Sequence, residues 1–221
     1  MKLIIGNKCY SSWSFRPWIA MTACGIAFDE EVVPLDTPAF AARMAELDAA
    51  GRVPLLIDGD VKVWDSLAII EYVAERHPHA GVWPSDPAKR AVARSVSAEM
   101  HSGFNGVRGA CPMNFGKRFA RRDRGADVAQ DVARISRIWA DAEGPFLFGA
   151  FCAADAMYAP VVSRFVTYDI EVPPEAARYM DAVRGHAAYQ AWEAAGLAET
   201  WIVDADEIDE PAVVDLRRRG A

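Results

Sequence analysis

Apolar and polar positions follow two different patterns along the 221 residues. Up to about residue 78, short apolar runs alternate with amphipathic stretches. "KLII" at 2–5, "FDEEVVPL" at 28–35, "VPLLID" at 53–58 and "VKVW" at 61–64 read as strands. The run from about Ser14 to Cys24, residues 38–50 and "SLAIIEYVAERH" at 66–77 read as helices. Gly25 stands where a left-handed residue ends a helix, Pro17 fits a first turn whose amides have no helical partner, and Pro78 stops the third helix. "DGD" at 58–60 predicts a tight turn that makes the last two strands antiparallel, while the other connections are long enough for parallel crossovers. After a connector rich in proline and glycine, "HPHAGVWPSDPAK", four segments at 88–108, 127–142, 153–168 and 175–196 carry apolar residues three or four apart, as amphipathic helices do.

The order strand-helix-strand-helix-strand-strand-helix is that of a thioredoxin-like domain. The expected architecture is therefore an α/β N-terminal thioredoxin-like domain at residues 1–79, followed by an all-α helical bundle domain at 86–221. The end of the chain, "DADEIDEPAVVDLRRRGA" from residue 204, is charged and is expected to dock only loosely.

Composition narrows the function classes. An apolar content of 52% is ample for a buried core, and no run approaches the roughly 20 apolar residues of a membrane span. "MKLIIGNK" is too short for a signal peptide's apolar core, so a cytoplasmic protein with no membrane partner is expected. Cys9, Cys24, Cys111 and Cys152 form no C-x-x-C pair and have no histidine at ligand spacing, which predicts neither a metal site nor a redox dithiol. A net charge of -7 argues against nucleic acid. The basic cluster "KRFARRDRG" at 117–125 reads as a solvated loop or helix end.

Chemistry concentrates at three places. "NKCYSSWSFRPW" at 7–18 crowds hydroxyls and a thiol between the first strand and the first helix. Val53-Pro54 opens the third strand, an odd place for proline unless its missing amide is useful. "WDS" at 64–66 puts Asp65 and Ser66 at a helix N-terminus, where free amides and the dipole favour an anion such as a ligand carboxylate.

With "SSWSFR" after the first strand, "VP" before the third, "DS" at the third helix and "FLFGAFCAADAMYAP" in the helical half, the chain resembles the cytosolic glutathione transferases over residues 2–200. The opening loop is most similar to the serine-type, zeta-like enzymes. Alignment on Arg16 puts Ser11 on that class's catalytic serine, Ser12 on its second serine and Trp13 on its cysteine. The resemblance implies a homodimer that uses glutathione as co-substrate, with Val53 pairing its backbone to the cysteinyl part, Pro54 in cis, and Asp65 and Ser66 holding the γ-glutamyl end near Arg52. Asp65 is shorter than the Glu or Gln of many relatives, Ala49 stands where many have proline, and Cys152 replaces the Ser or Thr that caps a buried helix three residues before Asp155. The second substrate is expected against 99–115, with Met100, Phe104 and Met113 as apolar wall and Arg108 and Asn114 as polar contacts.

The physics is compatible. A free thiol titrates near 8.5, so roughly 3% is thiolate at pH 7, and lowering the pKa by two units takes about 2.7 kcal/mol. One or two hydroxyl donors and a helix N-terminus, at roughly 1–3 kcal/mol each, supply that. Either Ser11 or Ser12 is the candidate donor. Ser14 reads as a plain helix cap, Tyr10 as packing, Cys9 as a buried thiol, His101 as structural, and Arg16 as a charge balance near the site or a structural pair. The expected activity is conjugation of glutathione to an electrophilic small molecule. The alternatives are a glutathione-dependent cis-trans isomerase, a non-catalytic module that binds a partner protein, and a glutaredoxin-like reductase, which would want a cysteine at Ser11 or Ser12.

Overall fold

A computed structural model describes residues 1–47 and 51–217. The first layer is a four-stranded sheet of β1 (Lys2–Ile5), β2 (Asp29–Val32), β3 (Leu55–Asp58) and β4 (Val61–Trp64), in the order β2-β1-β3-β4. β1 and β2 are parallel through the crossover helix α1 (Ser12–Ala23). β3 is antiparallel to both β1 and β4. The connection through α2 (Pro38–Leu47) is thus not the parallel crossover that its length allows: it carries the chain past β1 and returns it in the opposite sense. Ala49 and the end of the helix expected at 38–50 lie outside the described residues. The hairpin at Asp58–Val61 leads into α3 (Ser66–Arg76), which closes this half.

α1 begins earlier than its apolar pattern suggests. Ser11, not Ser14, is its N-cap, and Pro17 lies inside the helix rather than in its first turn. Both Ser12 and Ser14 are buried residues of this helix, so the polar residues that look like a loop continue the helix. Gly25 follows the helix with φ +67°, the left-handed conformation expected of it.

The second half consists of α4 (Pro87–Ser102), α5 (Asn105–Ala110), α6 (Ala126–Ala140), α7 (Ala153–Thr167), α8 (Pro174–Gly185) and α9 (Ala187–Ala198). Two of the four expected helices are broken. Gly103 and a left-handed Phe104 split the first, and His186 in extended conformation splits the last. α7 is the axis of this half, with fourteen of its fifteen residues buried. α1 packs on α7, α3 and α9, so a continuous core runs from Leu3, Phe15 and Ile69 to Trp139, Phe165 and Trp192. Among the described residues no helix is long and apolar enough to cross a membrane.

The C-terminal segment is not loosely docked over residues 204–217; residues 218–221 lie outside the described residues. Residues Ala212–Asp215 form β6, antiparallel to β5 (Lys117–Phe119), and the segment from Asp204 lies across the mouth of the first loop. The basic cluster is the reason. Arg122 and Arg124 both bond Glu210, and Lys117 bonds Glu207. Arg118 pairs with Glu193, and Arg121 with Asp169 and Glu171. The cluster is neutralised internally, in large part by the acidic tail.

At the start of α7, Asp155 accepts the backbone N–H groups of Cys152 (2.9 Å) and Leu147 (3.0 Å) and is fully buried. Burial pushes its carboxyl up to about 6 from an ordinary 3.8, against the pull of those two hydrogen bonds. Asp155→Ala strands two buried donors and is expected to lower stability by about 2–5 kcal/mol in urea unfolding. The folded pKa is the higher one, so between pH 4 and 6 the native state holds a proton the unfolded chain has released, and this residue's contribution falls as pH rises. The stability difference between wild type and Asp155→Asn, followed from pH 4 to 7, is expected to shift against wild type by up to about 3 kcal/mol and then level off.

Candidate active site

The N-terminus of α1, the loop before β3, the end of β4 and the α5 segment enclose a cavity of about 880 Å³. Ser11, Ser12 and Trp13 form its floor, and Arg52, Val53 and Pro54 one wall. Trp64 and Asp65 border it, and Asn105, Arg108, Gly109 and Pro112 face them across the opening. Arg164 from α7 and Asp206 from the C-terminal strap complete it. The Val53–Pro54 peptide bond is cis.

The two serines are held differently. Ser11 Oγ accepts from the Ser14 N–H at 3.4 Å and lies 2.8 Å from Ser14 Oγ, which in turn accepts from the Gly6 N–H at 3.0 Å. Ser12 Oγ accepts from Arg164 Nη2 at 3.2 Å. Both serines are almost fully buried against protein, but their hydroxyls border the cavity.

Asp65 caps α3 with its own side chain, accepting from the Leu67 and Ala68 N–H groups at 2.9 and 3.3 Å. Its φ is +73°, rare for a residue with a side chain, and the two amide bonds hold it there. Its other oxygen lies 3.3 Å from His101 Nε2, and the His101 ring meets Trp13 edge-on at 5.2 Å. Two amides of this helix end are therefore taken by protein rather than offered to an anion.

Ser66 does not border the cavity. It is buried, and its hydroxyl accepts from Arg16 Nη1 at 3.3 Å. Arg16 lies flat against Trp13 at 4.4 Å, and Arg108 stacks on the same indole at 5.2 Å. Burial lowers the Arg16 guanidinium to about 9, with Arg164 and Arg108 adding repulsion and Asp65 opposing it. Arg164 is lowered to about 10, again first by burial and then by Arg108, so all three remain cationic near neutral pH.

Of the expected second-substrate residues, only Arg108 borders the cavity. Met100, Phe104 and Met113 are buried in the core: Met100 lies on α4, Phe104 at the break between α4 and α5, and Met113 in the loop after α5, so no continuous helix puts them on one wall. Asn114 is buried in a different network, donating to Glu207 Oε1 at 3.1 Å and accepting from the Gly116 N–H and the Cys9 thiol. Cys9 is enclosed, and burial pushes its thiol up to about 11, which leaves it inert as a nucleophile. Tyr10 donates to Glu207 Oε1 at 2.6 Å; burial and that bond raise its pKa.

Sequence reasoning passed over Arg164 and Asp206. Arg164 had a signal: apart from Asp155 it is the only charged residue of α7, an otherwise apolar or small-residue helix. Asp206 had none, since its place depends on the strap folding back.

A family model described as the glutathione S-transferase N-terminal domain matches residues 10–76. Residues 10–76 are thus similar to the N-terminal domain of the glutathione S-transferases. A probable maleylacetoacetate isomerase of Caenorhabditis elegans is 36% identical over 104 residues, which cover 47% of this chain and 48% of that one. The chain spans about half the length of the curated relatives it matches. Two solved structures share the whole glutathione transferase fold. A glutathione transferase homolog from Burkholderia with bound glutathione superposes with TM-score 0.67 at 23% identity, over 88% of this chain and 96% of that one. A zeta-class maleyl pyruvate isomerase in its holo form superposes with TM-score 0.68 at 21% identity, over 88% and 98%.

In this glutathione S-transferase fold one of the strap's anchors is the Glu207 carboxylate. Glu207 accepts from Tyr10, Asn114, Lys117 and, at 3.0 Å, Arg217. Burial would raise its pKa, but the bonds from Lys117 and Tyr10 and the charge of Arg217 outweigh that and hold it below the usual carboxylate value. Glu207's contribution to the strap's docking is thus complete above the ordinary Glu pKa and is lost as pH falls through the lower folded value. Glu207→Gln is expected to raise hydrogen exchange in residues 204–217 several-fold at pH 7 without changing exchange in α7, and acidification of wild type below about pH 4 to do the same.

Proposed function

We propose that the chain binds glutathione in the 880 Å³ cavity, holds its thiol as thiolate with a serine hydroxyl at the N-terminus of α1, and conjugates it to an electrophilic small molecule. The observation that carries this reading is the meeting of Ser11, Ser12, cis Val53–Pro54, Arg52 and Asp65 on one cavity, although they come from three separate stretches of sequence. The cavity lies within the roughly 300–1,000 Å³ typical of ligand sites. The residues suit a tripeptide with an ammonium, two carboxylates and a thiol: Asp65 retains acceptor capacity for the ammonium, Arg52 is exposed at the cavity for a carboxylate, and Ser11 and Ser12 supply hydroxyls for the thiol. Ser66 supports the site from behind by fixing Arg16. Glutathione, when bound, supplies the nucleophilic sulfur. The chain supplies hydrogen bonds and positive potential, because a serine hydroxyl is too weak a base to take the proton itself.

A second reading, a glutathione-dependent cis-trans isomerase acting on an unsaturated acid, is favoured by Arg108 and Arg164. Both border the cavity, and among the described residues neither has a carboxylate within ion-pair distance. The likeness to proteins named maleylacetoacetate isomerase supports it equally. The proposal includes a division into 1–79 and 86–221, consistent with α3 ending at Arg76 and α4 starting at Pro87, and also a homodimer and a cytoplasmic setting.

The test is an ultraviolet titration of thiolate absorbance for glutathione bound to wild type, Ser11→Ala and Ser12→Ala. Wild type is expected to ionise the bound thiol about two units below its free value, which corresponds to about 2.7 kcal/mol, and at least one alanine variant to return it most of the way. Absence of binding, or binding without a shift, rejects the enzyme reading in favour of a protein-binding module. With an unsaturated acid as substrate, consumption of one glutathione per turnover marks conjugation, and turnover without consumption marks isomerisation.

A further inference from the structure

Arg164 is a buried cation with two backbone carbonyls and one side chain, Ser12 at the cavity, as hydrogen-bond partners. Its Nε donates to the Cys111 carbonyl at 2.8 Å and its Nη1 to the Pro160 carbonyl at 3.3 Å, which fixes the plane of the guanidinium. Its Nη2 is then directed at Ser12 Oγ, 3.2 Å away. α7 itself is immobilised by burial along its length. A hydroxyl that accepts from a guanidinium on one side has its single proton to give on the other, and the other side of Ser12 is the cavity. Ser11 is in the opposite position, because its oxygen shares a hydroxyl–hydroxyl bond with Ser14 and takes the Ser14 N–H as well.

On the reading of the site given above, we infer that Ser12 is the hydroxyl that donates to the bound thiolate and that Arg164 is its positioning residue, turning the Ser12 proton toward the sulfur. The guanidinium also polarises the hydroxyl, since a bond from a charged donor is stronger than one from a neutral donor and makes the remaining O–H a better donor. Arg16, Arg108 and Asp206 are charged neighbours of Arg164, two cationic and one anionic, so the local field at Ser12 is not set by Arg164 alone. The assignment separates positioning, which requires Ser12, from bulk positive potential, which does not.

The experiment titrates the thiolate of bound glutathione in wild type, Arg164→Gln, Ser12→Ala and the double variant. Ser12→Ala is expected to return most of the roughly two-unit depression of the bound-thiol pKa, Arg164→Gln to raise it by about one unit, a tenfold weaker ionisation, and the double variant to rise no further than Ser12→Ala. An Arg164→Gln protein that melts earlier but keeps the wild-type thiol pKa overturns the inference, because a purely structural arginine would behave so. A double variant showing the sum of the two shifts also overturns it, because Arg164 would then act as a charge independent of Ser12. If Arg164→Gln does not fold, Arg164→Lys keeps the charge and loses the fork. It is then expected to raise the thiol pKa in the Ser12 background and not in the Ser12→Ala background, and any other pattern counts against the assignment. A wild type whose bound thiol is depressed through Ser11 alone rejects this inference and leaves the proposed function intact. A wild type with no depression rejects both.

Discussion

The site depends on the burial of α1 from every side. This helix lies on β1 and α3 on one side and on α7 and α9 on the other, where Phe15 stacks on Trp192 with ring centres 4.7 Å apart. Each large apolar side chain buried here contributes about 1.5–3 kcal/mol, and the aromatic pairs add to that. The N-terminus of α1 is therefore not a loop end free to adjust. It is fixed at the junction of two layers, and the serines that begin the helix are held at the one place where cis Val53–Pro54, β4 and α5 also converge.

That arrangement puts positive charge into a low-dielectric region. Arg16, Arg108 and Arg164 gather around Trp13 and Ser12. Each is compensated mainly by neutral acceptors: Ser66 for Arg16, the His101 and Gly103 carbonyls for Arg108, and the Cys111 and Pro160 carbonyls for Arg164. Desolvating cations in this way opposes folding. A region that tolerates it is arranged to stabilise negative charge in the adjoining cavity, which is the electrostatic demand of a thiolate or a carboxylate ligand.

The C-terminal strap is a second consequence of charge. The basic residues at 117–124 and the acidic residues at 206–215 are far apart in sequence and each looks like a solvated surface. Brought together they neutralise one another, through Lys117 and Glu207 and through Arg122, Arg124 and Glu210, and the β5–β6 pairing fixes the register. The result carries Asp206 to the cavity and covers Tyr10. Complementary charge along a chain is visible in sequence; that two such segments meet is decided by the fold between them.

The sequence by itself determined the local and periodic features. Strands and helices of the first half follow from runs and alternation, the hairpin from Asp58-Gly59-Asp60, and the mixed α/β then mainly helical order, though not the β5–β6 pair within it, from the change of period near residue 86, because each depends on residues a few positions apart. It also marked Ser11, Ser12, Val53, Pro54 and Asp65, whose residue types carry chemistry in short motifs. Only the tertiary structure decided the antiparallel sense of β3, the breaks at Gly103 and His186, and the inward turn of Met100, Phe104, Met113 and Asn114. It alone set Ser66 behind the cavity and brought Arg164 and Asp206 to it. Those outcomes depend on which faces of distant elements bury one another, and Ser12 and Arg164 meet across 152 residues of chain. No local pattern encodes that contact, because it exists only once α1 and α7 share a core.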